Sequence, residues 1–342
     1  MAPGSGPRLL ITGGAGFIGS ALVRMLLTQR RDVAQVTVLD KLTYAGNLAN
    51  LDPVAADRRL RFVEGDINDP RTVAEVMRGQ DAVVHLAAES HVDRSIDSAS
   101  RFATTNVLGT QTLLDTALQT GVGTFVHVST DEVYGSIASG AWPESHPVLP
   151  NSPYAATKAS ADLLCLAYAR THGLDVRITR CSNNYGPYQF PEKIIPLFVT
   201  NLLQGQQVPL YGDGRNARDW LHVEDHCRGI LLALEHGRPG EIYNLGGGTE
   251  LSNHELTTRI LGLLGAGPER IDWVEDRKGH DRRYCVDWSK AARELGYRPH
   301  HSLDQALPAT VAWYRDHPSW WEPLRKTTDD EHTERQRQEA HG

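Results

Sequence analysis

Cysteine is scarce in this chain, with four among 342 residues: Cys165, Cys181, Cys227 and Cys285. They lie far apart, with no Cys-x-x-Cys pair and no histidine at zinc-finger spacing, so neither a disulfide framework nor a metal site is expected. Long apolar runs are missing too. No stretch approaches the roughly 20 residues that span a bilayer, and the first apolar run, at 8–12, is too short for the core of a secretion signal. Nor is there a long basic run: the formal charge of −7 is spread along the chain, which excludes a nucleic-acid footprint. These absences predict a cytoplasmic protein with small-molecule partners and neither membrane nor nucleic acid among them. What the chain does have is 40% hydrophobic residues and 31 glycines, enough for the core of one large or two modest domains.

The first half alternates short apolar runs with stretches of helical period, which predicts βαβ units and an α/β fold with a Rossmann-like, doubly wound parallel sheet. Strands are expected at 8–12, 36–40, 61–64, 82–86, 124–129 and 175–180, and helices at 18–27, 72–77, 102–118 and 154–171. After about residue 185, Gly- and Pro-rich breaks at 185–188, 211–214 and 246–248 separate shorter elements. The expected organisation is a dinucleotide-binding domain over 1–185, to which some later elements return, and a smaller C-terminal α/β substrate-binding lobe over 186–327. The polar residues 328–342 carry no apolar period and are expected to form a disordered tail.

Directly after the first predicted strand stands Gly13-Gly-Ala-Gly-Phe-Ile-Gly19. It fits two glycine spacings, one starting at Gly13 and one at Gly14, both running through Gly16 and Gly19. The early glycines permit a tight turn and close approach of a pyrophosphate, and Gly19 lets the following helix pack on the sheet and aim its positive end at the phosphates. An acid, Asp40, ends the second strand ~20 residues on, where it accepts from both ribose hydroxyls and repels a 2′-phosphate, so the cofactor is expected to be NAD. Lys41 beside it is a basic group that can instead accommodate a phosphate. Two further loops fit the same ligand: Asp66 and Ile67 near the adenine, and Leu86, Ala87 and Ala88 beneath the nicotinamide ribose.

Tyr154 and Lys158 open the helix predicted at 154–171. Four residues apart, they share a face about 6 Å apart along the axis. A phenol of ordinary pKa about 10 is a poor base at neutral pH, and a nearby ammonium together with a cationic nicotinamide favours its phenolate. At the end of the fifth predicted strand stand Thr130, Asp131 and Glu132, at the sheet edge where ligands of such folds bind. Neighbouring carboxyls in a shielded site cannot both ionise freely, which suits one to act as acid and the other as base.

Together these blocks resemble the dTDP-glucose 4,6-dehydratase family of the extended short-chain dehydrogenases/reductases, from about Leu9 to Leu324. The most specific pieces are the glycine loop, Ala87 to Ser95, Ser129 to Gly135, Tyr154 to Lys158, Ser182 to Tyr188, Phe190 to Lys193, Arg218 to Val223 and Asp276 to Tyr284. The resemblance implies that Tyr154, aided by Thr130, takes the glucose 4-hydroxyl proton as C4 gives hydride to NAD. Glu132 then removes the C5 proton, protonated Asp131 donates to the departing C6 hydroxyl, and the hydride returns to C6. The product is dTDP-4-keto-6-deoxy-D-glucose, a step in deoxysugar biosynthesis, and NAD is regenerated in each turnover.

The same resemblance adds Phe17, Ile18, Leu42, Thr43, Thr105, Ser129 and Asn184 to the cofactor set. For the nucleotide sugar it implies Ser90, Asn183, Lys193, Ile194, Arg218, Asn253, Arg277 and His280, with Pro209 and Tyr211 near the base. It also implies a homodimer formed through the helices at 102–118 and 154–171. Lys278, Cys285 and Gln189 depart from the more common Pro, Ala and His. UDP-glucose as substrate, a nucleotide-sugar 4-epimerase that omits the elimination, and a non-catalytic NAD sensor are the competing readings.

Overall fold

The structure is a computed structural model and describes residues 6–277 and 279–326. In chain order, the first part comprises β1 (Arg8–Thr12), α1 (Phe17–Gln29), β2 (Gln35–Asp40), β3 (Leu60–Glu64), α2 (Pro70–Met77), β4 (Ala82–His85), α3 (Val92–Asp97), α4 (Ala99–Phe102), α5 (Gly109–Thr120), β5 (Thr124–Thr130), α6 (Pro153–His172) and β6 (Val176–Cys181). Then follow β7 (Asn183–Tyr185), α7 (Ile194–Leu203), β8 (Val208–Tyr211), β9 (Ala217–His222), α8 (Val223–His236), β10 (Ile242–Leu245), β11 (Glu250–Ser252), α9 (Asn253–Leu263), β12 (Ile271–Val274), α10 (Ser289–Leu295) and α11 (Leu303–Asp316). The tail expected at 328–342 and the departure at Lys278 lie outside the described residues.

Seven strands form one parallel sheet in the order β10-β6-β5-β4-β1-β2-β3. The alternation of side chains along each strand builds its two apolar faces. Leu9 and Ile11 of β1 join Val36, Val38, Val84 and Val126 beneath α1 and α8. Leu10 points the other way, with Leu39, Val83 and Phe125, beneath α2, α5 and α6. A strand buried on both faces reads as a continuous apolar run, which is why these strands were legible. Strand β10 and helix α8 come late in the chain yet pack on this sheet. A smaller lobe holds the three-stranded sheet β11-β9-β7 and the pair β12-β8, closed over Tyr185, Phe198, Trp220, Leu256 and Tyr314.

The helix expected at 102–118 is more irregular than its period suggests. Between α4 and α5 the chain makes a π-helical segment, Ala103–Leu108. The wider turn brings the buried Asn106 against its neighbours. Its Oδ1 accepts from Glu89 N (2.9 Å), and its Nδ2 donates to Glu89 O and to Thr157 Oγ1 (both 3.0 Å). One side chain therefore ties the loop after β4 to α6, a use for which π segments are known near functional sites.

Candidate active site

The glycine turn resolves the choice between the two spacings. Gly13 has φ +71, and a Cβ there would lie 2.6 Å from Ala87 N. A Cβ on Gly19 would run into the Gly13 carbonyl oxygen. Gly14 instead packs against Val38. Gly13, Gly16 and Gly19, but not Gly14, line a cleft of about 580 Å³ at the carboxyl edge of the sheet. The first spacing is the one that opens a site.

At the end of β2 the buried Asp40 carboxylate is held by Ala15 N on Oδ2 and Leu42 N on Oδ1, both at 2.9 Å. Burial raises its pKa and these backbone donors oppose the rise. Each oxygen keeps a lone pair for a diol. Lys41 pairs with Asp66 at 2.6 Å, so its charge is already met by a carboxylate, which argues against a 2′-phosphate there. Of the residues named above for the cofactor, all line this cleft except Leu42, whose contribution is its backbone N–H on Asp40. Gln189 lines it too and donates to Asn184 O at 2.9 Å.

Helix α6 is started by Ser152, whose hydroxyl accepts from Ala155 N, and by Pro153 in its first turn. That start puts Tyr154 at the cleft wall with Lys158 one turn on. Lys158 is buried, donates to Val128 O at 2.8 Å and lies 3.5 Å from His127 Nε2. Its pKa is lowered by burial, with Asp162 opposing. Tyr154 differs from the expectation of an acidified phenol. In the protein alone its pKa is raised well above the ordinary value, first by burial and then by Glu132, with a hydrogen bond to Thr130 opposing. A cationic nicotinamide bound in the cleft would offset this rise, as the sequence reading expects.

Strand β5 ends at Thr130 and turns at once into the short 3-10 segment Asp131–Tyr134, capped by Glu132 N on Thr130 Oγ1 at 3.2 Å. Asp131 is 3% exposed and its Oδ2 has no partner. Burial and the adjacent Glu132 raise its pKa well above the ordinary value, which favours its protonated form. Glu132 is also raised by burial, but Arg218 and Lys193 draw it back. The two neighbours are therefore inequivalent, one poised as acid and the other nearer to a base.

A second cavity, of about 500 Å³, adjoins the first. Ser90, Glu132, Asn183, Glu192 and Lys193 line both. Ile194, Pro209, Tyr211, Arg218, Asn253, Arg277 and His280 line the second. Arg218 is anchored through Asp281 O (2.9 Å) and lies over Tyr284 (4.3 Å). Arg277 reaches from the lobe to Asp93 on α3 at 2.7 Å. Lys193 donates to Ser90 O at 3.1 Å. Two basic side chains and an ammonium around one cavity suit a diphosphate.

Residue-level reasoning missed Glu192, on the wall shared by both cavities and 3.6 Å from Arg94, and it missed the bridging Asn106. The signal for Glu192 was its place beside Lys193 in the Phe190 to Lys193 block. Nothing in the sequence marks a π segment.

A family model described as GDP-mannose 4,6 dehydratase matches residues 10–310. A dTDP-glucose 4,6-dehydratase from Streptomyces antibioticus is 62% identical over 93% of this chain and 95% of its own length. Among solved structures, a dTDP-glucose 4,6-dehydratase from Streptomyces venezuelae with NAD bound is 64% identical over 93% of this chain and 99% of that one, with a TM-score of 0.92. A UDP-glucose 4-epimerase from Thermotoga maritima is 33% identical over 90% of this chain and 99% of that one, with a TM-score of 0.84. The epimerase shares the architecture at about half the identity of the dehydratases. Family model, identity and coverage agree: this chain belongs to the dTDP-glucose 4,6-dehydratase family.

Proposed function

We propose that the chain is an NAD-dependent hydro-lyase that converts dTDP-D-glucose to dTDP-4-keto-6-deoxy-D-glucose and water, supplying deoxysugar biosynthesis. The observation that carries this reading is the place of Glu132, on the wall shared by the two cavities and next to the buried Asp131, whose protonated form its surroundings favour. The first cavity, with Gly13, Gly16, Gly19 and Asp40 on its wall, would hold NAD, which would supply the hydride acceptor for sugar C4 and the donor to C6. Tyr154, hydrogen-bonded to Thr130, takes the 4-hydroxyl proton, and the buried Lys158 ammonium stabilises the phenolate. The C4 carbonyl acidifies the proton on C5, which Glu132 removes while Asp131 protonates the departing C6 oxygen. Arg218, Arg277 and Lys193 hold the diphosphate, with Pro209 and Tyr211 beside the base.

Epimerisation requires the first of these steps but neither Asp131 nor Glu132. Incubating the protein with dTDP-glucose and UDP-glucose side by side, and following loss of water by mass, tests the proposal. Water lost from the dTDP sugar is the expected result. Isomerisation without water loss assigns an epimerase, faster reaction of the UDP sugar reassigns the nucleotide, and no turnover of either sugar leaves an NAD sensor.

No helix among the described residues is long and apolar enough to cross a membrane, and all four cysteines are free. Both support a cytoplasmic location. Leu108, at the end of the π segment, and Leu163, on α6, are 54% and 56% exposed. They support a homodimer packed through this helical face.

A further inference from the structure

We propose that His222, Glu224 and His301 form a divalent-metal site, selective for zinc or a similar first-row ion, at the junction of the two parts of the molecule. One donor atom from each lies within 4.8 Å of the other two. His301 Nε2 and Glu224 Oε2 are 3.5 Å apart, close to the about 3.4 Å that separates two ligands on a tetrahedral zinc ion. The His222 and His301 rings face each other at 4.0 Å with a 31° tilt. Two imidazoles and a carboxylate are the donor set that favours zinc over magnesium or calcium. The exposed Glu224 leaves solvent room to fill a fourth position.

The surroundings orient His301 for this role. Asp225 is fully buried and accepts from His300 N on Oδ1 and from His301 N on Oδ2, both at 2.8 Å. Its Oδ2 also lies 3.1 Å from His301 Nδ1. A carboxylate on Nδ1 directs the Nε2 lone pair outward, as in carboxylate–histidine–metal arrangements. Arg228 competes for the same nitrogen, with Nη2 at 3.2 Å, but it also pairs with Asp225, which offsets its charge. A metal on Nε2 selects the form in which Nδ1 donates to Asp225. The Glu224 N–H donates to His222 Nδ1 over a long 3.4 Å, a contact that a metal on Nε2 replaces by moving the ring hydrogen to Nδ1.

The three ligands come from different parts of the fold. His222 ends β9 of the lobe, Glu224 starts α8 on the large sheet, and His301 immediately precedes α11 of the lobe. His222 and Glu224 are near neighbours in the chain but His301 lies far from both, which hides the site from the spacing rules that led the sequence reading to expect no metal. A bound ion would tie the lobe to the large sheet.

The test uses untagged full-length protein, stripped with chelator and dialysed against Zn²⁺, with retained metal counted by mass spectrometry and affinity measured by calorimetry. The proposal predicts one zinc ion per chain and a zinc-dependent rise in thermal midpoint. Glu224→Gln, at an exposed position compatible with folding, and His301→Ala each bind at least roughly tenfold more weakly and lose that rise. His254→Ala, an exposed histidine elsewhere, keeps both. Absence of retained zinc, equal affinity in the Glu224 and His301 variants, or a matching loss in His254→Ala overturns the proposal. Co²⁺ gives a second readout, since its ligand-field bands should appear with the wild-type protein and vanish with His301→Ala.

Discussion

Burial and the neighbouring Glu132 favour the protonated form of Asp131, and this makes its role testable by pH. Its raised pKa means that the native state binds a proton more tightly than the unfolded chain does. That contribution to stability is complete below the ordinary carboxylate pKa and is lost as pH rises through the folded value. Asp131→Asn cannot titrate, so its thermal midpoint should gain on the wild type as pH is raised from about 5 to about 8. A constant difference across that range would remove the protonated aspartate. In catalysis the same variant should still oxidise C4, seen as reduced-nicotinamide absorbance, while water loss slows by roughly 10²–10⁴. Equal loss of both steps would contradict the assignment. The glycine loop offers a cleaner contrast. Gly13→Ala sets a Cβ against Ala87 N at a positive φ and should abolish NAD retention. Gly14→Ala sets its Cβ against the side chain of Val38 and should cost stability with the cofactor still bound, as mass analysis of NAD released on denaturation reports.

At the scale of elements, strand ends and helix starts do the positioning, and the sequence showed these well. Strands β1, β2, β4, β5 and β6 were legible because each is largely buried, while the edge strand β3, half-exposed, showed only as a short run between breakers. Tyr154 and Lys158 were legible because Ser152 and Pro153 announce a helix start. The π segment was not, since an extra residue in one turn leaves the apolar period of α5 intact and changes only the backbone bonding. Its consequence is Asn106, which locks Glu89 to Thr157. Asn106→Ala leaves the backbone groups of Glu89 without their partner, at a cost of about 1–3 kcal/mol. Urea denaturation measures that loss, and a change below about 0.5 kcal/mol would mean the bridge is idle. Residue spacing likewise shows an ammonium near Tyr154 but not the desolvation that raises its pKa in the protein alone.

Across the whole molecule, the large sheet presents one cavity and the lobe another, and chemistry belongs where they share a wall. The late elements β10 and α8 complete the sheet that carries the first cavity, a return that texture along the chain suggests but does not locate. Homodimerisation predicts that Leu163→Arg, on the exposed face of α6, converts the protein to monomer in light scattering. An unchanged mass would place the interface elsewhere. The central claim is that oxidation, elimination and reduction occur on one sugar around one recycled cofactor. The most direct measurement is turnover of dTDP-glucose carrying deuterium at C4, with the product analysed by NMR. The expected result is the label at C6 of a 4-keto-6-deoxy sugar, transferred within the same molecule. Label retained at C4 of an isomerised hexose, or no label at C6, would contradict it.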